Sequence, residues 1–322
     1  MKAIRIHQFG GPHVLQYEDV PDPSPKPGEA LVKVDAAGIN FIDTYQRSGA
    51  YKVPLPTILG QEGAGTVTAI GAGSEGVKVG DKVAWTGILG SYAESHTVPA
   101  ARLVTLPPGV TTKQGAAIML QGMTAHYLAS ATYPLKKGDT CLVHAGAGGV
   151  GLLLTQIAKL GGARVITTVS TDEKAKLSRE AGADHVVLYT SQDFEEEVKK
   201  ITGGQGVQVV YDSVGKTTFD KSLNCLAPRG MMVLFGQSSG PVGPFDLQVL
   251  AQRGSLFVTR PTLVNYIATR ADLQQRSSDL FAWIAAGKLG LRMEFEFPLK
   301  DAARAHQALE GRQTTGKVLL IP

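Results

Sequence analysis

Between an apolar run at residues 140–144 and a helical pattern that begins near Val150, three glycines, Gly146, Gly148 and Gly151, stand at G-x-G-x-x-G spacing. The chemistry such a turn serves is phosphate binding. Gly146 lets the chain turn sharply off a strand, Gly148 leaves no side chain between backbone and pyrophosphate, and Gly151 lets the following helix lie close to the sheet. Gly149 and Val150 open that helix, where free N–H groups and the macrodipole favour negative charge. Glycine clusters also mark ordinary surface loops, so the order of the flanking elements matters. Residues 140–144 read as a short buried strand, and Val150, Leu153, Leu154, Ile157, Ala158 and Leu160 recur at helical spacing until Gly161-Gly162. Strand, glycine turn and helix in that order predict a dinucleotide cradle.

The next strand indicates which dinucleotide. An NAD site usually carries an Asp or Glu about 20 residues past the first glycine, to hold the ribose 2′-hydroxyl. Here the strand 164–169 runs into Ser170-Thr171, and Asp172 and Glu173 are better placed at a helix N-terminus. A small hydroxyl at Ser170 with Lys174 nearby suits a 2′-phosphate, so NADPH is favoured over NADH. On other readings Lys174 is a solvated helix lysine and Ser170 an N-cap.

These residues must be positioned by a chain of 322 residues and 34.0 kDa, long enough for two domains. Hydrophobic residues make up 43% and charged residues 19%, a globular balance, and the 38 glycines exceed the usual share of about 7%. The formal charge of +4 is dispersed, which makes nucleic-acid binding an unfavoured role. Cys141 and Cys225 alone supply neither a disulfide framework nor a four-cysteine zinc site, and a reducing, cytoplasmic setting is expected. No apolar run is long enough to cross a bilayer, and no secretory signal core opens the chain.

The first third reads as β-rich, with runs at 3–6, 30–36, 64–70 and 82–85 separated by Gly/Pro turns. A helix is expected over 114–131. Strands and helices then alternate at 141–144, 150–160, 164–169, 173–181, 185–188, 194–202, 207–211, 219–226 and 231–235, which implies a doubly wound parallel sheet. Helices at 273–286 and 299–309 and a strand at 317–321 follow. The closing segment is expected to rejoin the first domain, since few residues remain for a third core.

Several motifs together resemble a known family: the opening Met1-Lys-Ala-Ile, Gly38-Ile-Asn-Phe-Ile-Asp-Thr-Tyr-Gln-Arg47, Gly60-Gln-Glu-Gly-Ala-Gly65, Val79-Gly-Asp-Lys-Val-Ala84, Gln121-Gly-Met-Thr-Ala125, the glycine turn, and Tyr211-Asp-Ser-Val-Gly215. The chain resembles the medium-chain dehydrogenase/reductase superfamily, in particular its NADPH:quinone oxidoreductase branch that includes zeta-crystallin. The resemblance implies an α/β protein: a GroES-like β-barrel catalytic domain (1–122), a Rossmann doubly wound parallel-sheet domain (123–260), and a C-terminal return to the catalytic domain (261–322). It further implies a cofactor in the interdomain cleft and a homodimer formed through the Rossmann domains.

Zinc-dependent members carry Cys where this chain has Asn40, and Gly-His-Glu where it has Gly60-Gln61-Glu62. Without those thiolate and imidazole ligands no catalytic zinc is expected, and an intrinsically electrophilic acceptor such as a quinone becomes the logical substrate. By the same resemblance Asn40, Tyr45 and Tyr51 line the acceptor pocket, where an amide and two phenols can hydrogen-bond an oxygen that gains charge. Thr124 resembles a contact to the nicotinamide end, as do Phe235 and Gly236, and Phe257 and Thr259 offer backbone partners to the carboxamide. Tyr189 and Arg312 match positions near the 2′-phosphate. The alternatives are a 2-alkenal or enone reductase using the same cofactor, or a non-enzymatic RNA-binding or lens-type structural role. His126 and His144 lack metal-spaced partners and are assigned no chemistry.

Overall fold

In the computed structural model, which describes all 322 residues, the alternating runs of the first third form strands. These are β1 (Lys2–Ile6), β2 (Gln16–Asp19), β3 (Glu29–Ile39), then helix α1 (Phe41–Ser48), β4 (Thr57–Ile58), β5 (Glu62–Ile70), β6 (Lys82–Thr86), β7 (Ser95–Pro99), β8 (Val104–Thr105) and helix α2 (Thr112–Tyr127). The βα alternation gives β9 (Thr140–Val143), α3 (Gly149–Leu160), β10 (Arg164–Val169), α4 (Asp172–Glu180), β11 (His185–Leu188), α5 (Phe194–Ile201), β12 (Val207–Asp212), α6 (Phe219–Asn224) and β13 (Leu226–Leu234). After α7 (Gln248–Gln252), β14 (Phe257–Thr259) and α8 (Leu263–Tyr266) come α9 (Arg270–Ala285), β15 (Phe295–Pro298), α10 (Ala302–Glu310) and β16 (Val318–Ile321). The chain divides into two units, Met1–Met123 with Tyr266–Pro322, and Thr124–Asn265. No helix is long and apolar enough to cross a membrane.

The first unit is organised on β3. One edge of this strand pairs antiparallel with β5 over most of its length. Its other edge is shared: the first half pairs with β7, and Ala37, Gly38 and Ile39 pair with Leu320, Leu319 and Val318 of β16. The C-terminal strand therefore completes the sheet that the first residues begin. Alternate residues Ala30, Val32 and Val34 point into a core with Ile4, Ile6, Leu59, Val67, Val83, Trp85, Tyr92 and Leu320, which is what period-2 patterning requires.

In the second unit the strand order is β11-β10-β9-β12-β13-β14, all parallel. Buried residues run almost continuously through β9, β10 and β12 because helices cover both faces of such a sheet. The order reverses between β9 and β12, and the glycine turn follows β9 at that switch point.

Three sequence expectations shift. The helix expected over 114–131 ends as α-helix at Tyr127 and continues as a π-type turn over Leu128–Thr132, where the Tyr133 N–H reaches back to Leu128 O. The helix expected to 226 stops at Asn224, because Leu226 is drawn into the parallel ladder opposite Val207. The last strand of that series starts at Leu226 rather than 231, and crosses the left-handed Arg229 (φ 61) before its regular pairing from Met231.

Candidate active site

In the dinucleotide turn the three glycines divide their work differently from the sequence expectation. The left-handed residue is Ala145 (φ 55), so the sharp turn off β9 does not rest on Gly146. A Cβ on Gly146 would lie 2.5 Å from Thr167 Cβ and 2.9 Å from Ser178 Oγ, so that glycine lets the turn pack against β10 and α4. A Cβ on Gly151 would lie 2.2 Å from Ala145 O, so Gly151 serves the approach of α3 to the turn itself. At Gly148 the nearest atom would be Ala145 O at 3.2 Å, with only the Ala145 Cβ beyond it at 3.9 Å. Gly148 is also the N-cap of α3, whose first amides, from Gly149, Val150 and Gly151, have no acceptor within the helix. The least crowded of the three glycines thus stands where free N–H groups converge, as a phosphate cradle requires.

Beneath the turn, His144 is structural. Its Nδ1 is 2.9 Å from Thr168 Oγ1 and its Nε2 2.9 Å from Ser222 Oγ, while burial holds its pKa down. Asp212 is likewise committed: Oδ1 accepts from the N–H groups of Val214 and Gly215, and Oδ2 from the Thr218 and Ser222 hydroxyls.

Ser170 and Tyr189 come together at the ends of the paired strands β10 and β11, where the Tyr189 N–H donates to Val169 O and the Thr190 hydroxyl to Ser170 O. The N-cap of α4 is Thr171, which accepts from the Lys174 N–H at 3.3 Å, so Ser170 is not the cap. Asp172 and Glu173 occupy the first turn, as expected from the helix dipole. Lys174 lies in that same turn, four residues on from Ser170. Phe235 and Gly236 both donate N–H groups to Asp212 O, and a Cβ on Gly236 would meet the Ser213 backbone at 2.6 Å. Phe257 and Thr259 lie on β14, which is an edge strand and not a core strand, with Phe257 56% exposed. Thr124 is buried in α2, whereas Arg312 belongs to the first unit, just past α10, with a left-handed φ of 57.

In the first unit, α1 is amphipathic in the unusual sense. Its buried residues are Asp43, Thr44, Gln46 and Arg47, all polar, while Phe41, Ile42 and Tyr45 are only partly covered. The apolar side of a surface helix normally faces the core. Here it is turned outward and carries a row of rings: Phe41 to Tyr45 at 6.4 Å between centroids, and Tyr45 to Tyr51 at 5.3 Å in an edge-to-face arrangement. Gly49, left-handed at φ 81, ends the helix and lets the chain double back so that the Tyr51 N–H bonds Tyr45 O at 3.0 Å. Tyr45 and Tyr51 are therefore brought together by the fold.

Asn40, directly before Phe41 in the chain, turns its amide to other partners. Its Nδ2 donates to Glu62 Oε2 (2.9 Å) and Gly38 O (3.2 Å), and its Oδ1 accepts from Lys317 Nζ at 3.0 Å. The ammonium of Lys317 also bonds the Glu62 carboxylate, whose other oxygen accepts the Leu120 N–H. Gly38 makes room for this pair, since a Cβ there would sit 2.5 Å from Glu62 Oε2 and 2.6 Å from Lys317 Cε. Asn40 therefore holds the start of α1 in place, with every polar atom of its amide engaged.

This donor set does not fit a zinc ion. Asn40 and Gln61 offer neither thiolate nor imidazole, the charge of Glu62 is matched by Lys317, and no group of three or more His, Cys, Asp or Glu side chains is placed to hold a metal. The residues missed from sequence are Asp43, Tyr92, His306 and Lys317. Only Asp43 left a local signal, the Asn40-x-x-Asp43 spacing of a helix cap.

Comparison with known proteins accords with this geometry. Residues 26–108 match the alcohol dehydrogenase GroES-like domain and residues 149–283 the zinc-binding dehydrogenase family. The chain is 48% identical to the quinone oxidoreductase of Pseudomonas aeruginosa across 100% of its own length and 99% of the relative's. It belongs to the quinone oxidoreductase branch of the medium-chain dehydrogenase/reductase superfamily. Within that branch, the crystal structure of the Escherichia coli quinone oxidoreductase complexed with NADPH superposes with a TM-score of 0.98 at 46% identity, each chain covered in full. The 2-haloacrylate reductase of a Burkholderia species is 42% identical over 99% of this chain and 98% of its own.

Proposed function

We propose that the protein is a zinc-independent, NADPH-dependent quinone reductase. The observation that carries the cofactor half is the glycine turn at the switch point of the sheet, where Gly148, the least crowded of the three glycines, stands beside the free amides of α3. Those amides would hold the pyrophosphate, and Ser170, Lys174 and Tyr189 would receive the 2′-phosphate. NADPH, when bound, supplies the hydride. Thr124, Phe235, Gly236, Phe257 and Thr259 are assigned to its nicotinamide end and Arg312 to its adenosine end.

The outward row of Phe41, Tyr45 and Tyr51 suits a flat, conjugated acceptor, which gains area against rings with little loss of side-chain freedom. A quinone needs no Lewis acid to accept hydride, in keeping with a donor set that does not fit zinc. As its oxygen gains charge, the Tyr45 or Tyr51 hydroxyl would hydrogen-bond it and pass on the proton that completes the hydroquinone. Asn40, with its amide engaged elsewhere, supports this surface from behind.

The names of the relatives support the same reading. A homodimer is part of the proposal, through the edge strand β14, where Phe257 and Val258 are exposed. A cytoplasmic setting is too, given two buried free thiols. The test is NADPH oxidation measured side by side with a quinone and a 2-alkenal. Faster turnover of the quinone is expected, and turnover of the alkenal alone would overturn the assignment in favour of an enone reductase.

A further inference from the structure

The polar face of α1 is held by hydrogen bonds whose direction can be worked out atom by atom. A guanidinium only donates. Arg47 places its two terminal nitrogens 2.8 Å from the Glu310 carboxylate oxygens, and one of them 3.1 Å from His306 Nδ1. His306 Nδ1 must therefore accept, and the single imidazole proton sits on Nε2. The ring is neutral, because burial and the neighbouring Arg47 hold its pKa down to about 3. Nε2 then donates to the Tyr92 hydroxyl oxygen at 3.1 Å, which sends the Tyr92 proton to Asp43 Oδ2 at 2.9 Å. That same carboxylate oxygen accepts the Asn40 N–H at 2.8 Å.

The chain of bonds leaves α1 at Arg47 in its last turn, passes through α10 at His306 and through Tyr92, and returns to α1 at Asp43 in its first turn. It is a closed staple on one short helix. It carries no proton from the surface, since the guanidinium at its head does not give one up. Its work is geometric: it keeps polar groups turned inward and the ring face turned outward, against the ordinary preference of such a helix.

We propose that Arg47 is a positioning residue for acceptor binding, because it sets the direction of this staple and so fixes the face on which Phe41, Tyr45 and Tyr51 stand. The inference rests on the assignment of that ring face to the acceptor. Without Arg47 the His306 proton can move to either nitrogen, Tyr92 can point to either neighbour, and the buried groups compete.

The test uses the full-length protein and the substitutions Arg47→Met, Arg47→Lys and Tyr92→Phe. Arg47→Met and Tyr92→Phe are expected to raise KM for the quinone about tenfold while KM for NADPH stays within about twofold. Arg47→Lys keeps a donor for His306 Nδ1 but loses the two-pronged bond to Glu310, and its rise in KM for the quinone is expected to be smaller than that of Arg47→Met, within about fivefold. Loss of stability alone would leave both KM values of the folded fraction unchanged. Should Arg47→Met not fold, Tyr92→Phe removes one hydroxyl and asks the same question. Amide exchange gives a readout without turnover: exchange over 40–48 should quicken in Arg47→Met and Tyr92→Phe, with β9 to β13 unchanged. Unchanged exchange over 40–48, KM values that rise together, or equal losses in the Lys and Met variants would each overturn the proposal. A parent protein inactive with every quinone would overturn the assigned function instead, and the exchange data would still judge the staple.

Discussion

Asp43 is the residue at which burial and charge conflict most openly. Burial pushes its carboxyl up to about 7, against the lowering effect of the Asn40 N–H and Tyr92 hydroxyl bonds. A carboxyl raised on folding gives its full contribution to stability below the ordinary carboxylate range and loses it as pH rises toward 7. The share of stability that belongs to Asp43 should therefore fall between about pH 4 and pH 7, against the opposite trend set by the buried neutral His144 and His306, so the denaturation midpoint of the parent minus that of Asp43→Asn should fall over that window and level off above it. At Lys174 the conflict is between two ligands rather than two states. If its ammonium meets the 2′-phosphate, Lys174→Ala should weaken NADPH about tenfold and leave NADH within about twofold, measured by fluorescence titration. Equal losses for both would remove Lys174 from the site. Composition could point to Lys174 because a missing acid at Ser170 is visible in one dimension. It could not point to Tyr92 or His306, whose bonds to α1 span 49 and 259 residues of chain.

Elements were legible where their cause is local. The strands Arg164–Val169 and His185–Leu188 fall where apolar, β-branched runs put them, and α3 starts at its glycines and stops at Gly161. Helix α1 was not legible, since its polar positions are the buried ones and a period-based reading would have turned the wrong face inward. The glycine turn was legible as a motif but not in its division of labour, because the left-handed conformation at Ala145 leaves no trace in composition. That division has a measurable consequence. Gly148→Ala needs only a few tenths of an ångström from Ala145 O and should leave the melting temperature within about 5 °C. Its methyl group would nonetheless occupy the phosphate approach and weaken NADPH at least about tenfold. Gly151→Ala drives a Cβ against Ala145 O and should instead destabilise the fold by about 1–3 kcal/mol, read by thermal unfolding.

At the scale of the whole molecule, β14 leaves one edge of the parallel sheet unpaired and exposes Phe257 and Val258 on it. An open edge with apolar side chains is a template for a second chain, and a lysine on it is a standing obstacle to pairing. Val258→Lys should move the protein in sedimentation from about twice 34.0 kDa to the mass of one chain. A parent that already sediments as a single chain would dismiss the dimer. The sharing of one edge of β3 between β7 and β16 bears on how the molecule comes into being. As the chain leaves the ribosome, β3 emerges early but its neighbour β16 only after the whole of Thr124–Asn265 has been made. The parallel-sheet unit is continuous in sequence and can close while synthesis proceeds. The unit that holds the ring face must wait with half an edge open. During translation, therefore, the unit that carries Phe41, Tyr45 and Tyr51 is the last part of the protein to mature.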